Sequence, residues 1–208
     1  MSTTNYHILL SASLVIWCVL HSAMISQSAI SLSTALLKDC VKYYRLFYNT
    51  IAVLTLLPIL AILYSMPKIA YFEWSGSSRL LQLLLISFGL FFLIAGAKSY
   101  DGLQFLGLRQ IMSKKHRVGL SESGGLHTDG ILNVTRHPWY LAGLLVLWGR
   151  DIDSAAFVVN IVFSAYLVLG ALLEERKLVH EFGEDYLAYQ SRVSMLFPLK
   201  WIVTTFKR

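Results

Sequence analysis

Residues 79–98, RLLQLLLISFGLFFLIAGAK, run from one basic residue to another with only Gln82 and Ser87 as polar side chains between them. A helix crossing the hydrocarbon core of a bilayer, about 30 Å thick, needs about 20 mostly apolar residues. This stretch supplies that length with no charge inside it, so it reads as a transmembrane helix. Working outward, residues 7–26 (HILLSASLVIWCVLHSAMIS) and 44–65 (YRLFYNTIAVLTLLPILAILYS) have the same character, with Pro58 marking a kink in the second. Residues 154–173 (SAAFVVNIVFSAYLVLGALL) are also long enough. Residues 138–150 (PWYLAGLLVLWGR) are apolar but reach only about 20 Å as a helix. With 154–173 they form a tight helical hairpin around Arg150, Asp151 and Asp153. The expected fold is an all-α polytopic membrane bundle of about five transmembrane helices. It makes one domain over residues 1–208, with three N-terminal helices in 1–98 and the polar segments and hairpin in 99–208.

Composition agrees. The chain is 56% hydrophobic and 14% charged, against about 25% charged in a soluble domain. The net charge of +6 reports topology and anionic lipid in such a chain, not nucleic acid. No basic face interleaves with aromatics as nucleic-acid binding would need. Cys18 and Cys40 form neither a C-x-x-C nor a zinc spacing, so neither a disulfide framework nor a metal site is expected. No Lys or Arg precedes the first apolar run, which argues for a retained helix over a cleaved leader.

Five helices put 27–43, 99–136 and the chain end on one side. That side carries all eighteen Lys and Arg except Lys68, Arg79 and Arg150. The positive-inside rule then places the N-terminus outside and the C-terminus in the cytoplasm, with the bacterial inner membrane as the expected location.

Polar complexity concentrates in two cytoplasmic segments, 99–140 and 174–198, which the hairpin brings together. Asp101 to Gln110 reads as a short interfacial helix. In Arg136-His137-Pro138-Trp139-Tyr140, Pro138 suits the first helical position, where its missing N–H is no loss. Free N–H groups and a positive dipole end there favour a carboxylate or polarisable ligand. The same residues also fit a plain interfacial cluster, with Arg136 snorkelling and Trp139 and Tyr140 in the aromatic belt. In the second segment, a solvated helix face with Glu174 and Lys177 paired at i,i+3 fits Glu175 to Lys177. Glu174, directly after Ala171-Leu172-Leu173, suits such a face less well. An amphipathic helix is expected near 174–192. His21 reads as a packed or hydrogen-bonded histidine, and Gly124, Gly125 and Gly130 make no dinucleotide fingerprint.

Taken in order, Thr128 onward, Arg136-His137-Pro138-x-Tyr140, the hairpin, Glu174-Glu175, Phe182-Gly183-Glu184-Asp185-Tyr186 and Pro198 resemble the C-terminal half of the isoprenylcysteine carboxyl methyltransferase and phospholipid methyltransferase superfamily. The likeness covers about a third of the chain, on motifs whose order and spacing make the match specific. The N-terminal half, including His21-Ser22, Tyr44-Arg45-Leu46-Phe47-Tyr48 and Gly107-Leu108-Arg109-Gln110, resembles a bacterial branch with methanethiol S-methyltransferase and NnrU-like proteins.

The resemblance implies a membrane methyltransferase using S-adenosylmethionine, without a Rossmann fold or metal. The cofactor would enter from the cytoplasm, and a lipophilic or small thiol acceptor from the bilayer lipid. By motif position, His137, Pro138 and Tyr140 would line the cofactor pocket, with Arg136 at its mouth and Glu174 on the cationic cofactor. Main chain from Gly125 through Leu126 to His127 would complete it. Leu132 stands where the family has a tyrosine. Gly170 stands where the isoprenylcysteine enzymes place a substrate-binding arginine, which points away from a carboxylate substrate and toward a neutral or thiol acceptor. Related membrane folds also imply two other readings: an NADPH-dependent reductase of the sterol reductase type, and a non-enzymatic NnrU-like accessory protein.

Overall fold

The computed structural model describes residues 2–99, 102–112 and 125–207. In chain order these form α1 (Thr3–Ile25), α2 (Gln27–Leu37), a 3-10 turn (Lys38–Tyr43), α3 (Tyr44–Ser65), β1 (Ala70–Phe72), α4 (Ser78–Ser99), α5 (Gly102–Leu106) and α6 (Leu108–Met112). A second 3-10 turn (Gly130–Asn133), α7 (Pro138–Trp148), β2 (Ile152–Asp153), α8 (Ser154–Phe182), α9 (Glu184–Arg192) and α10 (Leu199–Phe206) follow. Four segments are long and apolar enough to cross a membrane: Thr3–Ile25, Gln27–Ser65, Ser78–Ser99 and Ser154–Phe182. The chain is therefore a helical, polytopic membrane protein. Its apolar side chains face outward along these helices, Leu80, Leu83, Leu90 and Ile94 of α4 among them, as a lipid solvent permits. The fifth expected crossing, α7, is apolar but has only 11 residues, about 16 Å of rise.

Contacts divide the chain into two compact units. One holds α1–α3, α5 and α6, and the other β1, α4, α7, β2 and α8–α10. In the first, Leu10, Leu14 and Cys18 of α1 and Tyr48, Ala52 and Ile59 of α3 are buried. The Trp17 indole donates to the Ala52 carbonyl at 3.0 Å. The His21 ring stacks on Trp17 at 5.1 Å and meets Tyr48 edge-on at 6.1 Å, the packed role expected of it. The connector expected between 26 and 44 is largely helical. Ser26 ends α1 and caps α2 by accepting from Ala29 N at 3.2 Å, and no Gly or Pro follows to stop the helix. Cys18 is buried, Cys40 is exposed, and both are free thiols.

In the second unit α4 packs along α7, although the sequence grouped it with the N-terminal helices. Small residues make this possible. A Cβ on Gly96 would stand 2.5 Å from Trp139 Cδ1, and one on Gly89 2.8 Å from Val146 Cγ2, so the two helices meet at backbone distance. Trp139 Nε1 donates to Leu93 O at 3.1 Å. The turn between α7 and α8 is built by the charges the sequence singled out. Asp153 caps α8 at Ala156 N (2.7 Å), Asp151 accepts from Trp74 N (3.0 Å), and Arg150 donates to Asn160 Oδ1 (2.8 Å). An antiparallel β1–β2 pairing adds to it. The amphipathic helix expected over 174–192 proves to be two pieces. Nothing breaks the helix at residue 173, so α8 continues to Phe182. The chain turns only at Gly183, whose φ of 55° favours glycine.

Candidate functional site

The Arg-His-Pro-x-Tyr stretch lies against the end of the chain. Thr135 and Ser194 form a parallel bridge. Arg136 N donates to Ser194 O at 3.0 Å, and His137 N to Met195 O at 3.1 Å. The fully buried Thr135 hydroxyl lies 3.0 Å from Met195 O and 2.7 Å from Leu196 O. Pro138 then opens α7 as its first residue, with His137 at the N-cap position. The motif backbone is thus fixed from the side by a segment almost sixty residues later in sequence.

Its side chains converge on Glu175, which is 6% exposed. Oε1 accepts from Arg136 Nε, Tyr186 OH and His137 Nε2, each at 2.8 Å. Oε2 accepts from Arg136 Nη2 at 2.7 Å and from Gln190 Nε2. The Arg136 fork is bidentate, and its remaining Nη1 donates to the carbonyls of Gln190 (3.2 Å) and Val193. Each guanidinium nitrogen therefore has a protein partner. A carboxylate paired with arginine only accepts, so His137 Nε2 is the donor in this contact. Burial first, and then the bond to Glu175, hold the Tyr186 hydroxyl well above the ordinary tyrosine range. Tyr186, Tyr189 and Val193 form a small core under this cluster, with Leu126 packed on it.

Glu174 is different. Its side chain is 39% exposed, and its Oε2 lies 3.6 Å from His137 Nδ1, beyond hydrogen-bond length. The two acids approach opposite edges of one imidazole. Tyr140 lies edge-on to His137, with centroids 5.3 Å apart. A Cβ on Gly170 would stand 3.3 Å from Tyr140 Cε1, so the tyrosine ring occupies the space beside the position where the isoprenylcysteine resemblance would put an arginine.

A groove of about 610 Å³ lies in the same unit, within the roughly 300–1,000 Å³ of small-molecule sites. Phe91, Ile94, Ala95 and Ile131 give it apolar walls, and Lys98, His127 and Asp129 line it with polar groups. Of the residues singled out from sequence, Arg136, His137, Tyr140 and Glu174 gather at the Glu175 cluster, and His127 and Leu132 line the groove. Leu132 links the two, since its carbonyl accepts from Tyr189 OH at 2.6 Å. Pro138 is buried, and Gly125 borders open space.

Sequence reasoning missed Glu175, Tyr186 and Gln190 as partners. The available signal was Gly183, a helix stop between Glu175 and Tyr186 that lets the chain turn back. Among the described residues no group of His, Cys, Asp and Glu is placed to hold a metal ion.

No family model and no solved structure matches the chain. Methanethiol S-methyltransferase of Pseudomonas deceptionensis is 29% identical over 124 residues, covering 59% of this chain and 46% of that protein. In Bradyrhizobium diazoefficiens, methanethiol S-methyltransferase 1 is 33% identical over 97 residues (46% of this chain, 33% of the relative). Methanethiol S-methyltransferase 2 of that organism is 29% identical over 153 residues (72% and 59%). The chain spans about half the length of the curated relatives it matches. It is a homologue of bacterial proteins named methanethiol S-methyltransferase, consistent with the bacterial branch of the isoprenylcysteine carboxyl methyltransferase-like superfamily.

Proposed function

We propose that the chain is a membrane-embedded, S-adenosylmethionine-dependent methyltransferase acting on a small thiol. The observation that carries this reading is the division of labour between two adjacent acids. Glu175 is saturated by Arg136, His137, Tyr186 and Gln190, whereas Glu174 stands half-exposed beside His137. The relatives named above supply the reaction type.

The side chains present suit the cofactor. A free carboxylate at Glu174 and the aromatic ring of Tyr140 both favour a cation. When bound, S-adenosylmethionine supplies an electrophilic methyl group on a sulfonium. Glu174 balances positive charge, and Tyr140 offers an aromatic surface. His137 is held in one orientation by Glu175, and Arg136 positions that acid without meeting ligand itself. The apolar walls of the groove at Phe91, Ile94 and Ile131 suit a small uncharged acceptor. The site faces the cytoplasm of a bacterial inner membrane, with the N-terminus outside, on the distribution of Lys and Arg.

The test uses purified protein in detergent. S-adenosylhomocysteine should raise the thermal midpoint, because a ligand selective for the folded state stabilises it, and labelled methyl groups should pass from S-adenosylmethionine to methanethiol. Stabilisation by NADPH in place of S-adenosylhomocysteine would shift the assignment to a reductase. Efficient carboxyl methylation of a prenylcysteine analogue would overturn the thiol acceptor.

A further inference from the structure

In the unit built from α1–α3, α5 and α6, Arg45 has no counter-charge among the described residues. Arg45, in the first turn of α3, is 4% exposed, and its Nε and one Nη have no hydrogen-bond partner. Buried guanidinium groups are paired with near uniformity, because an unpaired one forfeits its hydration without return. Among the described residues of this unit Asp39 is the one acid, and it is exposed, whereas Lys38, Lys42, Arg45, Lys68 and Arg109 are basic. The α5–α6 corner presses close to the arginine stem. Gly107 has a φ of 88°, and a Cβ there would stand 3.0 Å from Arg45 Cβ and 2.8 Å from Leu46 N. Asn49, one turn along α3, donates to Leu106 O at 3.4 Å and ties α5 in place. The gap in pairing is therefore built into a packed corner.

Apolar side chains stand exposed beside it: Phe47 at 58% and Leu106 at 50%, with Leu46 and Leu103 alongside. The apolar length of α3 follows directly, within a segment long enough to cross a bilayer. A fixed cation beneath a greasy surface at the end of a membrane helix matches the two ends of a lipid.

We propose that Arg45 is the core of a binding site for the phosphate of an anionic phospholipid. The second Nη of Arg45, the nitrogen not closed off from the surface, meets a phosphate oxygen, Lys38 and Lys42 of the preceding turn add positive field, and Phe47 and Leu106 lie along an acyl chain. The site is independent of the methyltransferase reading.

The test is the thermal midpoint of the full chain in neutral detergent, titrated with phosphatidylglycerol, phosphatidylcholine or inorganic phosphate. Phosphatidylglycerol should stabilise the wild type and bind at least about tenfold more tightly than phosphatidylcholine, the size expected of one charge-assisted contact. Arg45→Gln should abolish that preference, while Lys68→Gln, at an exposed basic residue of the same unit, should retain it. A preference unchanged in Arg45→Gln overturns the proposal, as does its equal loss in Lys68→Gln. Inorganic phosphate reproducing the shift would overturn the lipid source. If Arg45→Gln does not fold, the wild-type comparison still decides: equal shifts from the two lipids overturn the site.

Discussion

Replacing Glu175 by glutamine removes a charge from a cavity that holds a guanidinium and gains a donor where donors already crowd. The new amide nitrogen must face Arg136 Nη2 and Gln190 Nε2, or else Arg136 Nε, Tyr186 OH and His137 Nε2, according to its rotamer. Either way at least one donor pair clashes and Arg136 stays buried without its counter-charge. Breaking one side of a buried ion pair costs about 3–5 kcal/mol, which for a chain of this size lowers a melting midpoint by about 6–20 °C. Glu174→Gln removes an acid whose Oε2 lies 3.6 Å from His137 Nδ1 and whose side chain is 39% exposed. Its effect on stability should stay within about 0.5 kcal/mol, while S-adenosylmethionine affinity falls roughly ten- to a hundredfold. Melting by intrinsic fluorescence and calorimetric titration on the same two preparations separate the effects. Equal midpoints for the two variants would show that the Glu175 cluster does not hold the fold. Normal affinity in Glu174→Gln would remove this acid from the site.

Four further outcomes follow from the same geometry. Arg136→Lys keeps the charge but loses the planar fork, so its midpoint should fall by several degrees, and a wild-type midpoint would mean that charge alone suffices. Gly96→Val places atoms where Trp139 Cδ1 already stands, so circular dichroism should show about 1–3 kcal/mol of lost stability; a neutral change would mean that α4 and α7 separate easily. Gly170→Arg must displace the Tyr140 ring and should weaken cofactor binding without conferring activity on prenylcysteine analogues, as a methyl-transfer assay would show. Tyr186 has a folded-state pKa above its unfolded value near 10. Its contribution is therefore intact below about pH 10 and is lost as pH rises beyond that; Tyr186→Phe should flatten the alkaline fall in midpoint, and an unchanged profile would refute the linkage.

The long helices were legible because a run such as 79–98 has no other way to meet a bilayer, and α4 begins and ends within a residue of it. The α2 helix was not, since QSAISLSTALL carries no length signal of its own and needs Ser26 to serve two helices at once. The position of Arg136, His137 and Tyr140 near the acids was readable from the order of motifs. The identity of the buried acid was not. Glu174 and Glu175 sit among equally apolar neighbours, and what separates them is Tyr186 and Gln190, delivered from beyond Gly183 by a turn that hydropathy does not register. The cluster is a product of tertiary closure, by a chain end hydrogen-bonded to residues 135–137.

The unbroken course of α8 makes the length of a membrane span and the aim of Glu174 and Glu175 a single variable. Glu175 stands about 32 Å from the Ser154 end at 1.5 Å per residue, close to one hydrocarbon thickness of about 30 Å. Adding one residue anywhere between them would raise both acids by about 1.5 Å and swing them by about 100°, turning Glu175 away from Arg136. Seven added residues would restore the heading to within about 20° but lift the acids by about 10 Å. This helix cannot be lengthened to suit a thicker bilayer one residue at a time. Any adjustment to membrane thickness has to come from tilt, or from the other spans.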